Sequence, residues 1–249
     1  MEDHSASPTG ALRTLPTSCL AGDWQMAIDG WLLAQGKPAF RLYRWQRPTL
    51  SLGFHQHAFE PHWGALAAAG VIDLVRRPSG GRAVLHAGEL TYALVWPHAI
   101  ADRKRAYAIA CGWLVEAFAR IGLPLEPGHQ APSRQRSNCF ATSTTADLVH
   151  PCGTKRIGSA QLWRRGCLLQ HGSILLEPPA ELWELVFGSP PPRLPRLPLE
   201  ADGLEVLLTE AALASLPTAN AGSELIPLVF EEMTAIAALR GCYGVNVIE

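Results

Sequence analysis

No stretch of this chain stays apolar for the roughly 18 to 20 residues that a membrane-spanning helix requires. Its first sixteen residues also lack a charged start followed by a long apolar run. A cytoplasmic protein that does not enter a membrane is the expectation. Charge of one sign forms no long block: 21 Lys and Arg are spread among 22 Asp and Glu, for a net charge of -1. The electrostatic footprint for nucleic acid or an anionic membrane is therefore missing, and neither is expected as a partner. The six cysteines form no CxxC pair, and a chain this long needs no disulfide staples, so the thiols are expected to be reduced and at least one is free for chemistry. Neither GxGxxG nor GxxxxGK[ST] occurs, which removes a dinucleotide fold and a P-loop. The absence of GxSxG removes a serine elbow. Nine histidines are present, yet His55 and His57 alternate without a nearby set of cysteines or carboxylates, so no metal is expected.

What is present suits one large globular domain: 249 residues, 48% hydrophobic, enough to bury a sizeable core. Residues 1–11 read as a flexible N-terminus, 12–188 as the main domain, and 189–249 as a proline-rich linker with a C-terminal helical segment. Apolar and β-branched runs predict strands over 12–20, 39–45, 49–54, 71–75, 90–96, 146–149, 155–163 and 166–176. Helical spacing predicts helices over 24–33 (with Asp23 as cap), 59–70, 105–122, 180–187 and 225–240. The resulting class is α+β, a mixed or antiparallel central sheet flanked by helices. A polar stretch over 126–138 reads as an irregular segment covering a site.

Three constellations carry chemistry. Between two strands, Arg76 and Arg77 precede Ser79-Gly80-Gly81, followed by Arg82 and His86; adjacent glycines let backbone N–H groups approach a bound carbonyl or phosphate. Cys139 and Lys155 lie sixteen positions apart across a strand and turn, and an ammonium beside a thiol favours the nucleophilic thiolate. Cys152, in a turn, and Cys167, within a strand, are less suited to a pocket. Gly158, Ser159 and Ala160 on one strand face His171, Gly172 and Ser173 on the next; small residues there leave room for a slender acyl chain, with Gln161 or His171 as polar contacts.

The blocks QMAIDGWLL, YRWQRPTLSLGFHQ, RRPSGGRAVLHAGELTYAL, SNCFATSTTADLV and GTKRIGSAQLWRRGCLLQHGSILLE, running from about Trp24 to Glu177, resemble the biotin and lipoate protein ligase superfamily. The resemblance is closest to its octanoyltransferase branch, which is built like a lipoate ligase. It implies that fold for the main domain. It also implies transfer of octanoyl from acyl carrier protein, through a Cys139 thioester, to a lysine of a lipoyl-accepting protein, either a lipoyl domain or a glycine-cleavage H-type protein. Lys155 is then the cation beside the thiol. Arg76, Arg77, Ser79, Gly80, Gly81, Arg82 and His86 match the substrate loop, and Gly158 to Gln161 with His171 to Ser173 match the acyl tunnel. ATP-dependent relatives typically carry a third glycine where this chain has Arg82, and HDxGN where it has His86-Ala87-Gly88-Glu89. Transfer without a cofactor, by a monomer, is therefore expected; ATP and Mg would enter only if the chain were a ligase. Two further readings stay open at this point: exchange of octanoyl between lipoyl proteins, and a module that binds acyl groups or carrier protein without turnover. Thr144-Thr145 stands where that family commonly has bulkier side chains.

Overall fold

The computed structural model describes residues 10–129, 138–141 and 143–245. The flexible N-terminus and the covering segment expected from the sequence fall largely on 1–9 and 130–137, outside the described residues.

The chain opens with β1 (Leu12–Thr14) and β2 (Ser18–Leu20), then α1 (Gly22–Gln35), β3 (Ala39–Trp45), β4 (Thr49–Leu52), α2 (Pro61–Ala68), β5 (Asp73–Arg76), β6 (Val84–His86) and β7 (Glu89–Pro97). It continues with α3 (Arg103–Arg120), β8 (Glu126–Pro127), β9 (Asp147–Val149), β10 (Lys155–Arg164), β11 (Cys167–Leu175), α4 (Ala180–Phe187), α5 (Ala201–Ser215), β12 (Ser223–Leu225) and α6 (Phe230–Ala237). The main sheet runs β12-β1-β3-β7-β11-β10-β9-β8, with β2 beside β3, and is mixed: β1 is parallel to its neighbours while β3, β7, β11, β10 and β9 pair antiparallel. A second, three-stranded sheet has the order β5-β4-β6. The mixed sheet flanked by helices is the α+β class expected from the sequence. No described helix is long and apolar enough to cross a membrane.

β7 and β11 are buried along their whole length, as central strands must be when both faces are covered. On one face, Phe40, Tyr92, Trp113, Phe118 and Leu208 pack the sheet against α3 and α5. On the other, Met26, Ile28, Leu32 and Tyr43 pack it against α1. Trp63, Phe140 and Trp183 join α2 and α4 to the small sheet. The site forms where that sheet meets β10 and β11.

Several boundaries differ from the sequence expectation, each for a local reason. Pro16, which has no N–H for a ladder, splits the strand expected over 12–20 into β1 and β2. Asp23 is not the cap of α1. Ala21 holds that position, and Asp23 sits in the first turn, accepting from the Trp24 N–H at 2.8 Å and pairing with Arg240 at 2.7 Å. The strand expected to reach Phe54 stops at Leu52. A three-residue strand, β6, lies inside what reads as one long loop. Residues 189–249 contain more than helix: α5 packs on α3, and β12 extends the main sheet beside β1, while Pro227 interrupts the helix expected over 225–240.

His150, buried at the end of β9, accepts at Nε2 from the Arg156 Nε–H at 3.0 Å, so it must stay neutral at that nitrogen. Burial, reinforced by Arg156, lowers its pKa from 6.5 to about 4. In that window the unfolded chain binds a proton that the folded chain refuses, so His150 makes stability fall as pH drops from 6.5 to about 4. His150→Gln keeps an acceptor for Arg156 without titrating. Urea midpoints measured at pH 7 and pH 4.5 should therefore separate less for the variant than for the wild type.

Candidate active site

Cys139 begins a single 3-10 turn, Cys139–Ala141, which is held from two sides. Its N–H donates to the Ala83 carbonyl at 3.0 Å, docking the turn on the start of β6, and the Asn138 side chain accepts from the Phe140 N–H at 2.8 Å. The cysteine is half-buried.

Lys155 reaches it because β10 is irregular at that point: the pairing with β9 slips between Lys155 and Ile157. Such a bulge re-aims side chains. Arg156 turns away to the Leu175 and Pro195 carbonyls. The buried Lys155 ammonium lies 3.5 Å from Cys139 Sγ, donates to the Cys139 carbonyl at 2.9 Å, and sits 4.9 Å from the Phe140 ring centroid. Its counter-charge is Asp147, at 2.9 Å and equally buried. Asp147 also accepts from the Thr144 N–H at 2.7 Å and the Thr144 hydroxyl at 3.1 Å, so the small Thr144 closes the turn that carries the carboxylate. The sulfur, the ammonium and the carboxylate thus form one compact row, Cys139, Lys155 and Asp147.

The other described cysteines lack this setting. Burial pushes the Cys111 and Cys167 thiols up to about 11. Cys152 is exposed, and hydrogen bonding to Thr154 holds its thiol below its ordinary value, but it lines neither of the two cavities described below.

A narrow cavity opens beside Cys139. Eleven of the residues expected from the sequence line it: Cys139, Arg77, Gly80, Gly81 and His86 together with Gly158, Ser159, Ala160, His171, Gly172 and Ser173. The register explains the room, since Gly158 faces Ser173, Ser159 faces Gly172 and Ala160 faces His171. Alternation sends the Ser159 side chain to the opposite face of the sheet, where it meets the Tyr92 hydroxyl at 2.8 Å, so Ser159 offers the cavity backbone. Met26, Tyr43, Trp45, Ser51, Val84 and Thr91 complete the wall, and none of these was expected from the sequence. Trp45 stacks on His86 at 3.9 Å and donates to the Thr91 hydroxyl at 2.9 Å. Burial lowers the His86 pKa, which keeps a neutral imidazole in the wall, bonded through Nε2 to Ser51 at 2.8 Å.

The glycine loop is fastened by buried groups. The Arg77 guanidinium donates to the carbonyls of Ser51 (2.9 Å), Gly80 (2.9 Å) and Arg82 (2.7 Å). Burial pulls Arg77 below its ordinary range, and Cys139 close by opposes that shift. Gly53 is the residue that lets the loop approach: a Cβ there would lie 1.9 Å from the Gly81 carbonyl oxygen. Ser79, fully buried, bonds to His171 Nε2, while His171 Nδ1 meets Asp29 at 2.9 Å. Asp29 in turn binds Arg41 at 2.6 Å and Tyr43 at 3.1 Å. Arg76 and Gln161 line a neighbouring cleft instead. Arg76 donates to the carbonyls of Gly53 and Gln56, and Gln161 bonds to Gln170 and Trp163. Arg82 lines neither.

Fold and site together define a class: a mixed-sheet domain presenting a thiol beside a buried ammonium, on the wall of a narrow cavity that a Gly-Gly loop also lines. The model of the lipoyl protein ligase A/B catalytic domain matches residues 22–192, and the chain belongs to that family. It is 37% identical over 201 residues to Octanoyltransferase LipM of Kyrpidia tusciae, an alignment covering 73% of this chain and 72% of the relative. Octanoyltransferase LipM of Oceanobacillus iheyensis is 36% identical over 179 residues, covering 66% and 64%. These alignments thus span about two thirds of each relative's length. Among solved structures, lipoate-protein ligase A bound with ATP superposes with a TM-score of 0.73 at 18% identity, covering 93% of this chain and 95% of that one. The bipartite lipoate protein ligase of Thermoplasma acidophilum gives 0.71 at 18%, covering 93% and 92%. At that identity the superpositions establish the fold alone.

Proposed function

We propose that the chain is an octanoyltransferase of lipoate biosynthesis that works through an acyl-thioester on Cys139. It takes octanoyl from acyl carrier protein and passes it to a lysine of a lipoyl domain or H-type protein. The observation that carries this reading is the Cys139 sulfur 3.5 Å from the Lys155 ammonium on the wall of the cavity. The octanoyltransferase names of the relatives support it.

In the first step the Cys139 thiolate attacks the donor thioester carbonyl, the donor's carbon–sulfur bond breaks, and its thiolate leaves and takes up a proton. In the second, the deprotonated amine of the acceptor lysine attacks the acyl-enzyme. The bond to Cys139 breaks, an amide forms, and the amine gives up its second proton. Two thioester openings replace one direct amide synthesis. Lys155 and the N–H groups of Gly80 and Gly81 stabilise the oxyanion of each step. The thioester supplies the energy, so the reading requires neither ATP nor a metal. With a lipoyl domain as acceptor, octanoyl carrier protein should support transfer and octanoate with ATP should not. Transfer only from octanoate and ATP would make the protein a ligase, and transfer only from an octanoylated lipoyl protein would make it an amidotransferase.

The two glycines separate fold from ligand. A Cβ on Gly80 meets nothing within 4 Å, whereas Gly81 has φ of 102° and its Cβ would lie 2.7 Å from Arg77 Nη2. Gly80→Ala should hold stability to within about 0.5 kcal/mol. Gly81→Ala should lose roughly 1 kcal/mol or more. Both should slow transfer, and thermal melts beside rate measurements check the split.

A further inference from the structure

A second cleft, of roughly 680 Å³, adjoins the acyl cavity and shares Arg77 and Gly80 with it. Arg76, Arg77, Arg103 and Arg164 line it, together with Phe54 and Trp163, and no Asp or Glu does. Among the described residues none of the four guanidinium groups has a carboxylate within 4 Å, although Arg13, Arg41, Arg44, Arg47, Arg120 and Arg240 each do. Four permanent cations converging on one concavity focus a positive potential there.

Arg103 opens α3 directly after its cap, Asp102, whose carboxylate accepts from the Lys104 and Arg105 N–H groups at 3.0 and 3.1 Å, so the backbone that carries Arg103 beside the cleft is fixed.

The position of the cleft defines the ligand further. Gly158 lines the cavity with Cys139, and Arg164 lies six residues along the same strand, roughly 20 Å away at strand rise. That is the reach of an outstretched pantetheine arm, whose thioester would meet Cys139 while its phosphate lies at the far end. Resting on the octanoyltransferase reading, we propose that the cleft holds the arm of the acyl donor, with Arg103 and Arg164 recognising its 4′-phosphate. The same phosphate occurs on carrier protein and on coenzyme A, and both are covered by this assignment.

Arg103 and Arg164 are exposed and their side chains make no hydrogen bond or ion pair among the described residues, so replacing them spares the fold. The double variant R103Q/R164Q is compared with wild type on octanoyl carrier protein, octanoyl coenzyme A and octanoylpantetheine, which has no phosphate. The ratio of kcat/KM for each phosphorylated donor to that for octanoylpantetheine should fall about 100-fold, mostly through KM, as expected for two charge-assisted hydrogen bonds. An unchanged ratio overturns the proposal, and so does a loss confined to carrier protein, which would place the arginines against the carrier's own surface. Calorimetry with 4′-phosphopantetheine and pantetheine tests the site without turnover. Wild type should prefer the phosphorylated compound and the double variant should not; equal binding of both by wild type overturns the assignment even if no thioester donor is used.

Discussion

Mixed with octanoyl carrier protein, the wild-type chain will gain the mass of one octanoyl group, and Cys139→Ala will not. The same variant will lose transfer by roughly 10⁴-fold or more, because removing a covalent nucleophile abolishes the route rather than slowing it. Cys152→Ala is the informative control. Cys152 is exposed, and its hydrogen bonds to Thr154 hold its thiol below the ordinary value, so reactivity toward small reagents alone would favour it. Among the described cysteines, Cys139 alone both lines the narrow cavity and has an ammonium 3.5 Å away. An adduct that survives Cys139→Ala and disappears with Cys152→Ala would sink the mechanism.

Lys155 must then be separated from its structural duty. Lys155→Met strands the Asp147 carboxylate in a buried site, at a cost of about 3 to 5 kcal/mol. On the proposed mechanism it also removes the cation that stabilises the oxyanion, worth roughly 10²- to 10³-fold in rate. Adding Asp147→Asn removes the stranded charge and keeps the side chain's shape. Much of the stability should return and none of the rate. Recovery of both would mean that Lys155 serves only to pair with Asp147.

The members of this site that could be read from sequence are those whose chemistry is local. The Gly80-Gly81 pair announces a turn by itself, and Cys139 and Lys155 stand inside family blocks. Their supports could not be read, because each becomes meaningful only through a distant partner. Asp147 looks like an ordinary polar residue at the start of a strand until the bulge in β10 turns Lys155 onto it. Gly53 looks like the end of a strand until Gly81, 28 positions on, packs where its Cβ would be. Among the elements, α5 escaped notice because no side chain caps it and Asp202-Gly203 interrupts its start, yet four of its residues are buried against the core. β12 is short, exposed and polar, and only its parallel pairing with β1, some 210 residues earlier, makes it a strand.

The same non-local logic sets the largest expected loss of stability. Asp29 is fully buried and faces Arg41, 1% exposed, across 2.6 Å. Replacing it with alanine leaves that guanidinium charged, since arginine does not deprotonate, and without its counter-ion. Gln25 would still accept at 2.6 Å through both its side-chain and backbone oxygens, but neither carries a charge. The expected cost is about 3 to 5 kcal/mol, a large part of a domain's stability. Burial alone would raise the Asp29 pKa, but Arg41 and His171 outweigh it and hold the carboxyl below 3.8. A depressed carboxyl contributes stability above that pH, and the contribution is lost as pH falls through the folded value. In urea unfolding, Asp29→Asn should therefore be less stable than wild type at pH 7, and the gap should narrow by pH 3. An equal gap at both would mean that the side chain acts by packing alone. Asp29→Ala also removes the partner of His171 Nδ1, so the ring loses the contact that aims Nε2 at Ser79. On the proposed mechanism transfer should weaken even in protein that remains folded, because the glycine loop is then held by Arg77 without the Ser79–His171 bond.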